Sequence, residues 1–203
     1  MIQFAVRAAD VILASFALLF LAPLMIVVAV LVTLQDGGPA LFGHRRIGRA
    51  GLEFNCLKFR SMVVDAEERL TRHLAANASA RLEWAADHKL RHDPRVTALG
   101  RFLRKSSIDE LPQLFNVLRG DMSLVGPRPI VQGEVHRYGR YFAHYCQVRP
   151  GITGLWQVMG RNDVSYRRRV ALDVAYVRRF RVTTYVSILA LTVPAVLGRS
   201  GVY

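Results

Sequence analysis

The sequence predicts an α+β fold that is mainly helical, with an N-terminal membrane segment followed by a polar domain. An uncharged apolar run over residues 11–34 predicts the membrane segment. Short stretches between glycines predict a hairpin after it, and two longer stretches with helical periodicity predict helices in the polar domain. We place the boundary at residue 37, which divides the chain into a membrane anchor, 1–37, and a domain, 38–203.

The apolar run reads VILASFALLFLAPLMIVVAVLVTL and is long enough to cross the hydrocarbon core of a bilayer as one helix. It is longer than the apolar region of a secretory signal, so we expect it to remain in the mature protein. Pro23 removes one backbone hydrogen bond near the centre and predicts a bend near Ala22. Two topologies remain open from the residues: a bent helix that spans the bilayer, and a helix-break-helix hairpin that enters and leaves on one side.

The turn signal Asp36-Gly37-Gly38-Pro39 ends the anchor. Residues 40–62 then contain short strand-like runs separated by three glycines, which predict a β-hairpin. Residues 64–90 are rich in Ala, Leu, Glu and Arg and predict one helix, which ends before Asp93-Pro94.

A basic amphipathic helix is predicted over residues 165–180, SYRRRVALDVAYVRRF. Its apolar stripe comprises Val170, Val174 and Val177, with arginines at both ends. Such a helix can lie on anionic lipid or pack its stripe on the protein core, and both interpretations remain open. The uncharged stretch at 182–197 is short and contains Pro194, so we expect an interfacial or buried helix that does not span the membrane.

The chain carries a formal net charge of +13. Residues 1–37 hold only Arg7 against Asp10 and Asp36, a net charge of −1, so the remainder carries +14. A basic excess of this size suits nucleic acid, an anionic membrane leaflet or a phosphate-rich substrate. No familiar helix-turn-helix, zinc-finger or RNA-binding signature accompanies the charge, so we predict no nucleic-acid partner.

Residues 101–129, RFLRKSSIDELPQLFNVLRGDMSLVGPRP, contain the densest group of charged residues. Ser107 and Glu110 fit the S-x-x-E capping box, which predicts that a helix begins here with its positive end near Asp109 and Glu110. Taken locally, the acids serve equally well as helix caps or as catalytic groups.

Several cations surround the two acids in sequence: Arg101, Arg104, Lys105, Arg119 and Arg128. Two carboxylates among so many cations suit a site for phosphate. A nucleophilic aspartate that attacks a diphosphate needs cations to neutralise the phosphoryl oxygens. Carboxylate and phosphate oxygens favour Mg²⁺, with Mn²⁺ as an alternative, so Asp109 and Glu110 are candidate metal ligands.

Three further groups are candidate contacts for a substrate. Lys58 and Arg60 share a side if their segment is a strand, where they either clamp a phosphate or face solvent. Arg128 lies in the stiff sequence Gly126-Pro127-Arg128-Pro129, which is either a phosphate contact or a surface turn. Trp156, in a glycine-containing loop that ends at Arg161, either stacks on a nucleotide or sugar or packs in the core.

The segments KFRSM, SSIDELPQLFNVLRGDMSLVGPRP and RPGITGLWQVMGRN resemble the bacterial sugar transferases, also called monotopic phosphoglycosyl transferases. The resemblance covers nearly the whole chain, and the stretches RYG and RNDVSYRRRVALD are most similar to exopolysaccharide and O-antigen initiating members. One departure lies after Tyr176. Where the family usually has a tryptophan-serine pair and an aspartate, this chain has Phe180-Arg181 and Tyr185.

The resemblance implies transfer of galactose- or glucose-1-phosphate from a UDP-sugar to undecaprenyl phosphate, with release of UMP. Asp109 would be the nucleophile of a covalent intermediate and Glu110 the second catalytic acid. Lys58, Arg60, Arg104 and Arg128 match basic positions that contact phosphates. Trp156 and Arg161 are candidates for the nucleotide or sugar. A single displacement by the same residues, an inactive scaffold and a membrane-tethered nucleic-acid-binding protein are the alternatives.

The resemblance also implies a location. The break at Pro23 would make a re-entrant hairpin in the bacterial inner membrane, with the active site on the cytoplasmic face and amphipathic helices at the interface. The lipid bilayer is then a partner. Downstream glycosyltransferases and a second copy of the chain, forming a homodimer, are further candidate partners.

Overall fold

The computed structural model describes residues 2–87, 90–159 and 164–197. These residues form mainly helices, together with two small two-stranded sheets. The predicted class, α+β and mainly helical, is confirmed.

The first element, α1 (Ile2–Asp36), is one helix that continues through Pro23, so the structure does not show the predicted break. Among the described residues, α1 is the one helix long and apolar enough to cross a membrane. Much of its surface consists of exposed large apolar side chains, including Phe4, Phe16, Leu19, Phe20 and Leu34. An apolar surface of this extent is suited to contact with hydrocarbon.

The other side of α1 packs against the polar domain along the length of the helix. Near the start, Val6 lies in a buried cluster with Tyr185. Ala14 is fully buried farther along, and near the end Val32 packs with Phe59. Both ends of α1 are therefore attached to the same domain.

Strands β1 (Leu41–Ile47) and β2 (Glu53–Phe59) form the predicted hairpin, which is confirmed. They pair antiparallel, with Phe42 opposite Lys58 and Arg46 opposite Phe54. Because side chains alternate along a strand, this register places Arg46 and Lys58 on one face of the hairpin.

The segment predicted as one helix at 64–90 contains two, α2 (Ala66–Ala76) and α3 (Ala78–Asp87). The prediction of a single helix is wrong because Asn77 has an extended backbone, with φ −130° and ψ 109°. Its Oδ1 accepts a hydrogen bond of 3.1 Å from the backbone N–H of Ala80. The asparagine thus ends one helix and caps the next.

Helices α4 (Ala98–Ser106) and α5 (Gln113–Arg119) follow. The buried side chain of Asn116 joins α5 to β2. Its Nδ2 donates to the carbonyl oxygen of Asn55 at 2.8 Å, and its Oδ1 accepts from the N–H of Leu57 at 2.9 Å. These bonds hold the turn between α4 and α5 close to the end of β2.

The remaining elements complete the domain. β3 (Ser123–Val125) pairs in parallel with β4 (Gly151–Thr153). The short helices α6 (Val135–Tyr138) and α7 (Phe142–Tyr145) lie between these strands in sequence. α8 (Leu155–Met159), α9 (Tyr166–Arg178) and α10 (Val182–Leu197) follow β4.

Helix α9 confirms the predicted second helix and begins with Ser165, whose side chain accepts from the N–H of Arg168. Val170 and Val174 are buried in a core cluster, which favours the core interpretation of its apolar stripe. Helix α10 is partly buried through Tyr185, as expected for a helix that does not span the membrane.

Candidate active site

Asp109 and Glu110 lie in a short 3₁₀ turn, Ile108–Glu110, between α4 and α5. Ser107 has a φ of 57°, in the left-handed region, and ends α4. Its side chain makes no capping hydrogen bond, and α5 begins only at Gln113, so the predicted capping box is wrong. The physical reason is the reversal at Ser107, which closes the preceding helix and leaves the acids in a tight turn.

Lys58, at the end of β2, bridges the two acids. Its Nζ lies 2.6 Å from Oε1 of Glu110 and 3.6 Å from Oδ2 of Asp109. The side chain of Asp109 is 9% exposed and that of Glu110 is 33% exposed. The structure thus brings Lys58 next to two adjacent acids that follow it by about 50 positions in the sequence.

The surroundings shift the pKa values of the two acids in opposite directions. Burial raises the pKa of Asp109, which Lys58 opposes and the charge of Glu110 reinforces. Burial also disfavours ionisation of Glu110, but Lys58, Arg128 and Arg46 outweigh it and lower the pKa of Glu110. The two acids therefore shift in opposite directions because several cations act on Glu110, whereas burial dominates at Asp109.

A cleft with an open volume of about 330 Å³ adjoins the acids. Lys58 and Glu110 line it, and Asp109 lies directly beside them. The polar side chains that line the cleft are Arg46, Lys58, Glu110, Gln113, Arg128 and Gln157. Three cations thus face one cleft, an arrangement suited to phosphate oxygens.

Arg46 and Gln113 are site residues that the sequence analysis missed. Arg46 donates to the carbonyl oxygen of Pro129 at 3.2 Å and lies 3.9 Å from Glu134. The hairpin register carried a signal for Arg46, since correct pairing of the strands places it on the same face as Lys58. Nothing in the sequence distinguished Gln113.

Trp156 does not present a stacking surface in this structure. Its side chain is buried, with a relative exposure of 3%. The guanidinium carbons of Arg169 and Arg128 lie over the ring, 4.6 Å and 5.9 Å from its centroid. The packing interpretation of Trp156 therefore holds, and its ring supports Arg128 at the cleft.

The other predicted phosphate contacts have different surroundings. Nε of Arg104 donates to Oγ of Ser61 at 2.8 Å. Burial lowers the pKa of Arg104, and the nearby charge of Asp109 opposes this shift. The Arg60 guanidinium instead contacts the end of α1, with both carboxylate oxygens of Asp36 at 2.6 Å. Arg60 thus pairs with Asp36 rather than with Asp109 or Glu110.

Arg161, the remaining predicted contact for the nucleotide or sugar, lies outside the described residues. Its role stays a prediction.

The donor set fits a magnesium ion that is shared with a substrate. Mg²⁺ commonly takes one or two protein carboxylates and completes its shell with substrate phosphates and water. Asp109 and Glu110 supply adjacent carboxylates beside the cleft. Among the described residues, no group of three or more His, Cys, Asp or Glu could hold a metal. A cation here would therefore depend on oxygens from a substrate.

The fold and the site define a class: a protein with one helix long and apolar enough to cross a membrane, and with a carboxylate pair beside a cationic cleft suited to phosphate. Comparison with known proteins agrees, because the family model described as "Bacterial sugar transferase" matches residues 1–199. The chain therefore belongs to the bacterial sugar transferase family.

Three relatives show the range of similarity. An undecaprenyl-phosphate galactose phosphotransferase of Salmonella typhimurium is 52% identical over 201 residues, which are 99% of this chain and 42% of the relative. The exopolysaccharide production protein ExoY of Rhizobium meliloti is 49% identical over 97% of this chain and 87% of its own length. A UDP-glucose:undecaprenyl-phosphate glucose-1-phosphate transferase of Xanthomonas campestris is 41% identical over 96% of this chain and 39% of the relative.

Proposed function

We propose that this protein transfers a sugar-1-phosphate, of galactose or glucose type, from a UDP-sugar to undecaprenyl phosphate and releases UMP. The observation that carries the proposal is the Asp109–Glu110 pair, bridged by Lys58 at 3.6 Å and 2.6 Å beside a cleft that Arg46 and Arg128 also line. The names of the Salmonella and Xanthomonas relatives support this choice of substrates, because both name undecaprenyl phosphate and the second names UDP-glucose.

In the proposed first step, a carboxylate oxygen of Asp109 attacks the β-phosphorus of the UDP-sugar. A bond forms between that oxygen and phosphorus, and the bond from phosphorus to the bridging oxygen breaks. UMP leaves with the bridging oxygen, and the sugar phosphate remains on Asp109. In the second step, a phosphate oxygen of undecaprenyl phosphate attacks the same phosphorus and releases the carboxylate.

The surrounding residues favour this reaction electrostatically. Lys58, Arg46 and Arg128 would contact phosphoryl oxygens and offset the negative charge that otherwise repels a carboxylate nucleophile. Because Glu110 has a lowered pKa, it carries a full charge at neutral pH and can help hold a cation. Mg²⁺ bound by Asp109 and Glu110 would further neutralise the diphosphate.

We propose that α1 lies in the inner membrane with both of its ends on the cytoplasmic side. Contacts at both ends support this topology. Near the start, Nη1 of Arg7 donates to the carbonyl oxygen of Val117, and at the end Asp36 binds Arg60. A helix that crosses the bilayer would separate its two ends by the full hydrocarbon thickness, about 30 Å, and only one end could reach the domain.

The product would be the lipid-linked first sugar of an exopolysaccharide or O-antigen repeat unit. The name of the Rhizobium relative, an exopolysaccharide production protein, supports the first of these. Downstream glycosyltransferases would then consume this product. The homodimer stays a prediction.

The covalent step is tested by incubating the purified chain with Mg²⁺ and a labelled UDP-sugar in the absence of lipid acceptor. We expect UMP in amounts comparable to the enzyme and a sugar-phosphate mass adduct on the peptide that contains Asp109. Adding undecaprenyl phosphate should remove the adduct and start repeated turnover. A panel of UDP-sugars in the same assay identifies the donor.

Asp65→Asn is the matched control, because Asp65 lies at the start of α2 and pairs with Arg69 away from the cleft. This variant should form the adduct like the wild type, whereas Asp109→Asn should not. Turnover without any trapped adduct would indicate a single displacement. Sustained UMP release by Asp109→Asn would overturn the assignment of the nucleophile.

A further inference from the structure

A second cleft lies at the start of α1, with an open volume of about 390 Å³. Three arginines from separate parts of the chain line it: Arg7 of α1, Arg49 of the turn between β1 and β2, and Arg149 of the loop before β4. None of its lining residues also lines the active-site cleft. It is therefore a separate cationic site.

The three guanidinium groups retain much of their capacity to donate hydrogen bonds. Arg7 donates to the carbonyl oxygens of Val117 and Leu118, at 2.6 Å and 2.9 Å. Arg149 donates through Nε to the carbonyl oxygen of Gly120 at 2.7 Å. Each guanidinium has five N–H donors, so the bonds among the described residues use two on Arg7 and one on Arg149.

In the described part of the chain, the three arginines form no ion pair. Burial lowers the pKa of Arg149, and the positive charges of Arg7 and Arg49 lower it further. The one acid that lines the cleft, Asp10, is buried and accepts hydrogen bonds from Ser123, Leu124 and Tyr185. Mutual repulsion among the arginines is thus only weakly compensated within the protein.

A purely structural role explains only part of this cluster. Arg7 and Arg149 bind carbonyl oxygens at the end of α5, where positive charge is favourable. Arg49 is exposed and makes no side-chain hydrogen bond among the described residues, so helix capping does not account for it. Its exposed position beside two other cations leaves it available to an anion from outside the chain.

The surroundings of the cleft indicate the source of that anion. Apolar Val6, Val125 and Phe180 also line it. Phe4, one turn from the cleft on α1, is 80% exposed and belongs to the apolar surface that contacts hydrocarbon in the proposed topology. A ligand with a phosphate and an attached acyl chain would satisfy both the arginines and this surface.

We propose that the cleft formed by Arg7, Arg49 and Arg149 binds the phosphate headgroup of an anionic membrane lipid. The site is distinct from the transfer site and holds the start of α1 at the membrane surface. The inference uses the membrane contact of α1 but not the transfer reaction, so binding and turnover can fail independently.

The test measures binding of tail-labelled phosphatidylglycerol to the full chain in a neutral detergent, by fluorescence anisotropy. Arg49→Gln should weaken binding about tenfold, the effect of losing one charge-assisted contact. Arg45→Gln is the matched control, since Arg45 is exposed on the same hairpin and lines neither cleft. It should change binding less than about twofold. Arg149→Lys keeps the charge but loses the planar donors and should also weaken binding.

Two further arms identify the ligand. Tail-labelled phosphatidylcholine should bind much more weakly than phosphatidylglycerol, and inorganic phosphate should compete only at high concentration. Equal binding of the two lipids, or equal loss in the Arg49 and Arg45 variants, would overturn the proposal. Displacement of phosphatidylglycerol by micromolar inorganic phosphate would overturn the lipid source and assign the site to a soluble phosphate.

Discussion

Asp109 and Asp173 are both buried aspartates, but their neighbours differ. Lys58 lies 3.6 Å from Asp109, with Glu110 beside it. Asp173, on α9, accepts a hydrogen bond of 2.7 Å from the hydroxyl of Tyr138, and its other oxygen, Oδ1, is buried with no hydrogen-bond partner among the described residues. Burial raises the pKa of Asp173 to about 7, although the Tyr138 hydrogen bond and the charge of Arg128 oppose the rise. Burial also raises the pKa of Asp109, where Lys58 and Arg104 oppose the rise.

The difference teaches that burial alone does not make an aspartate reactive. A nucleophilic carboxylate must be ionised, and where water is largely excluded nearby cations and hydrogen-bond donors favour the ionised form. Lys58 contacts Asp109 directly, whereas in the described part of the chain the hydrogen-bonding partner of the Asp173 carboxyl is the hydroxyl of Tyr138. We therefore assign Asp109 to chemistry and Asp173 to the core.

The largest expected effect is a difference in activity between variants of the two aspartates. Asp109→Asn should lower UMP release at least about 10³-fold, because the amide cannot form the proposed intermediate. Asp173→Asn should retain activity within about fivefold, since the amide can still accept from Tyr138. UMP release with saturating substrates measures both. Similar losses in the two variants would remove the distinction between them.

A smaller effect is expected when the cation is removed from Asp109. Lys58→Met should lower kcat/KM about 10²-fold at neutral pH. Without the positive charge, the pKa of Asp109 rises further, so the acidic limb of the pH profile should move about one unit to higher pH. Lys58→Arg keeps the charge and should return the acidic limb of the profile to its wild-type position. Lys105→Met, at an exposed lysine, serves as the control. An unmoved limb in Lys58→Met would show that Lys58 does not tune Asp109.

The smallest effect concerns stability. The folded pKa of Asp173, about 7, lies above the unfolded value of 3.8, so the folded protein binds the extra proton between these values. Stability should therefore fall as the pH rises from about 5 to 8, by on the order of 2 kcal/mol. Asp173→Asn should remove this dependence, as measured by thermal unfolding in detergent.

Asp93→Asn is the matched control for that experiment. Although burial opposes it, pairing with Arg95 lowers the pKa of Asp93 below 3.8, so Asp93 stays ionised from pH 5 to 8. The free energy of unfolding of Asp93→Asn should lie below that of the wild type by a similar amount at every pH in this range. The control should therefore keep the pH dependence. A pH dependence that persists in Asp173→Asn would assign it to another group.

The sequence predicted the features that depend on local pattern. The apolar run of α1, the β1–β2 hairpin and the helix α9 follow from the absence of charge, glycine spacing and hydrophobic period respectively. The Asp109–Glu110 pair also stood out, because its cations lie nearby in the chain. Local reasoning failed at Ser107 and Asn77, where one residue's backbone conformation decides where helices begin and end.

The rest depended on contacts between distant segments. Lys58 and Arg60 are two positions apart, yet Lys58 reaches the acids while Arg60 is held by Asp36. Strand periodicity places both side chains on one side but does not say which partner each will meet. Likewise, the core position of Asp173 depends on the packing of α9 against Tyr138, which the sequence pattern does not predict.

The bond between Asp10 and Tyr185 has a consequence for synthesis of the protein. The Tyr185 hydroxyl donates to Oδ1 of Asp10 at 2.8 Å, across 175 positions of sequence. Because α1 is synthesised before α10, the buried acid of α1 must wait for α10 before its native partners are complete. The contacts around Asp10 therefore cannot form as α1 is made, and they close only after the segment that contains Tyr185 has been synthesised.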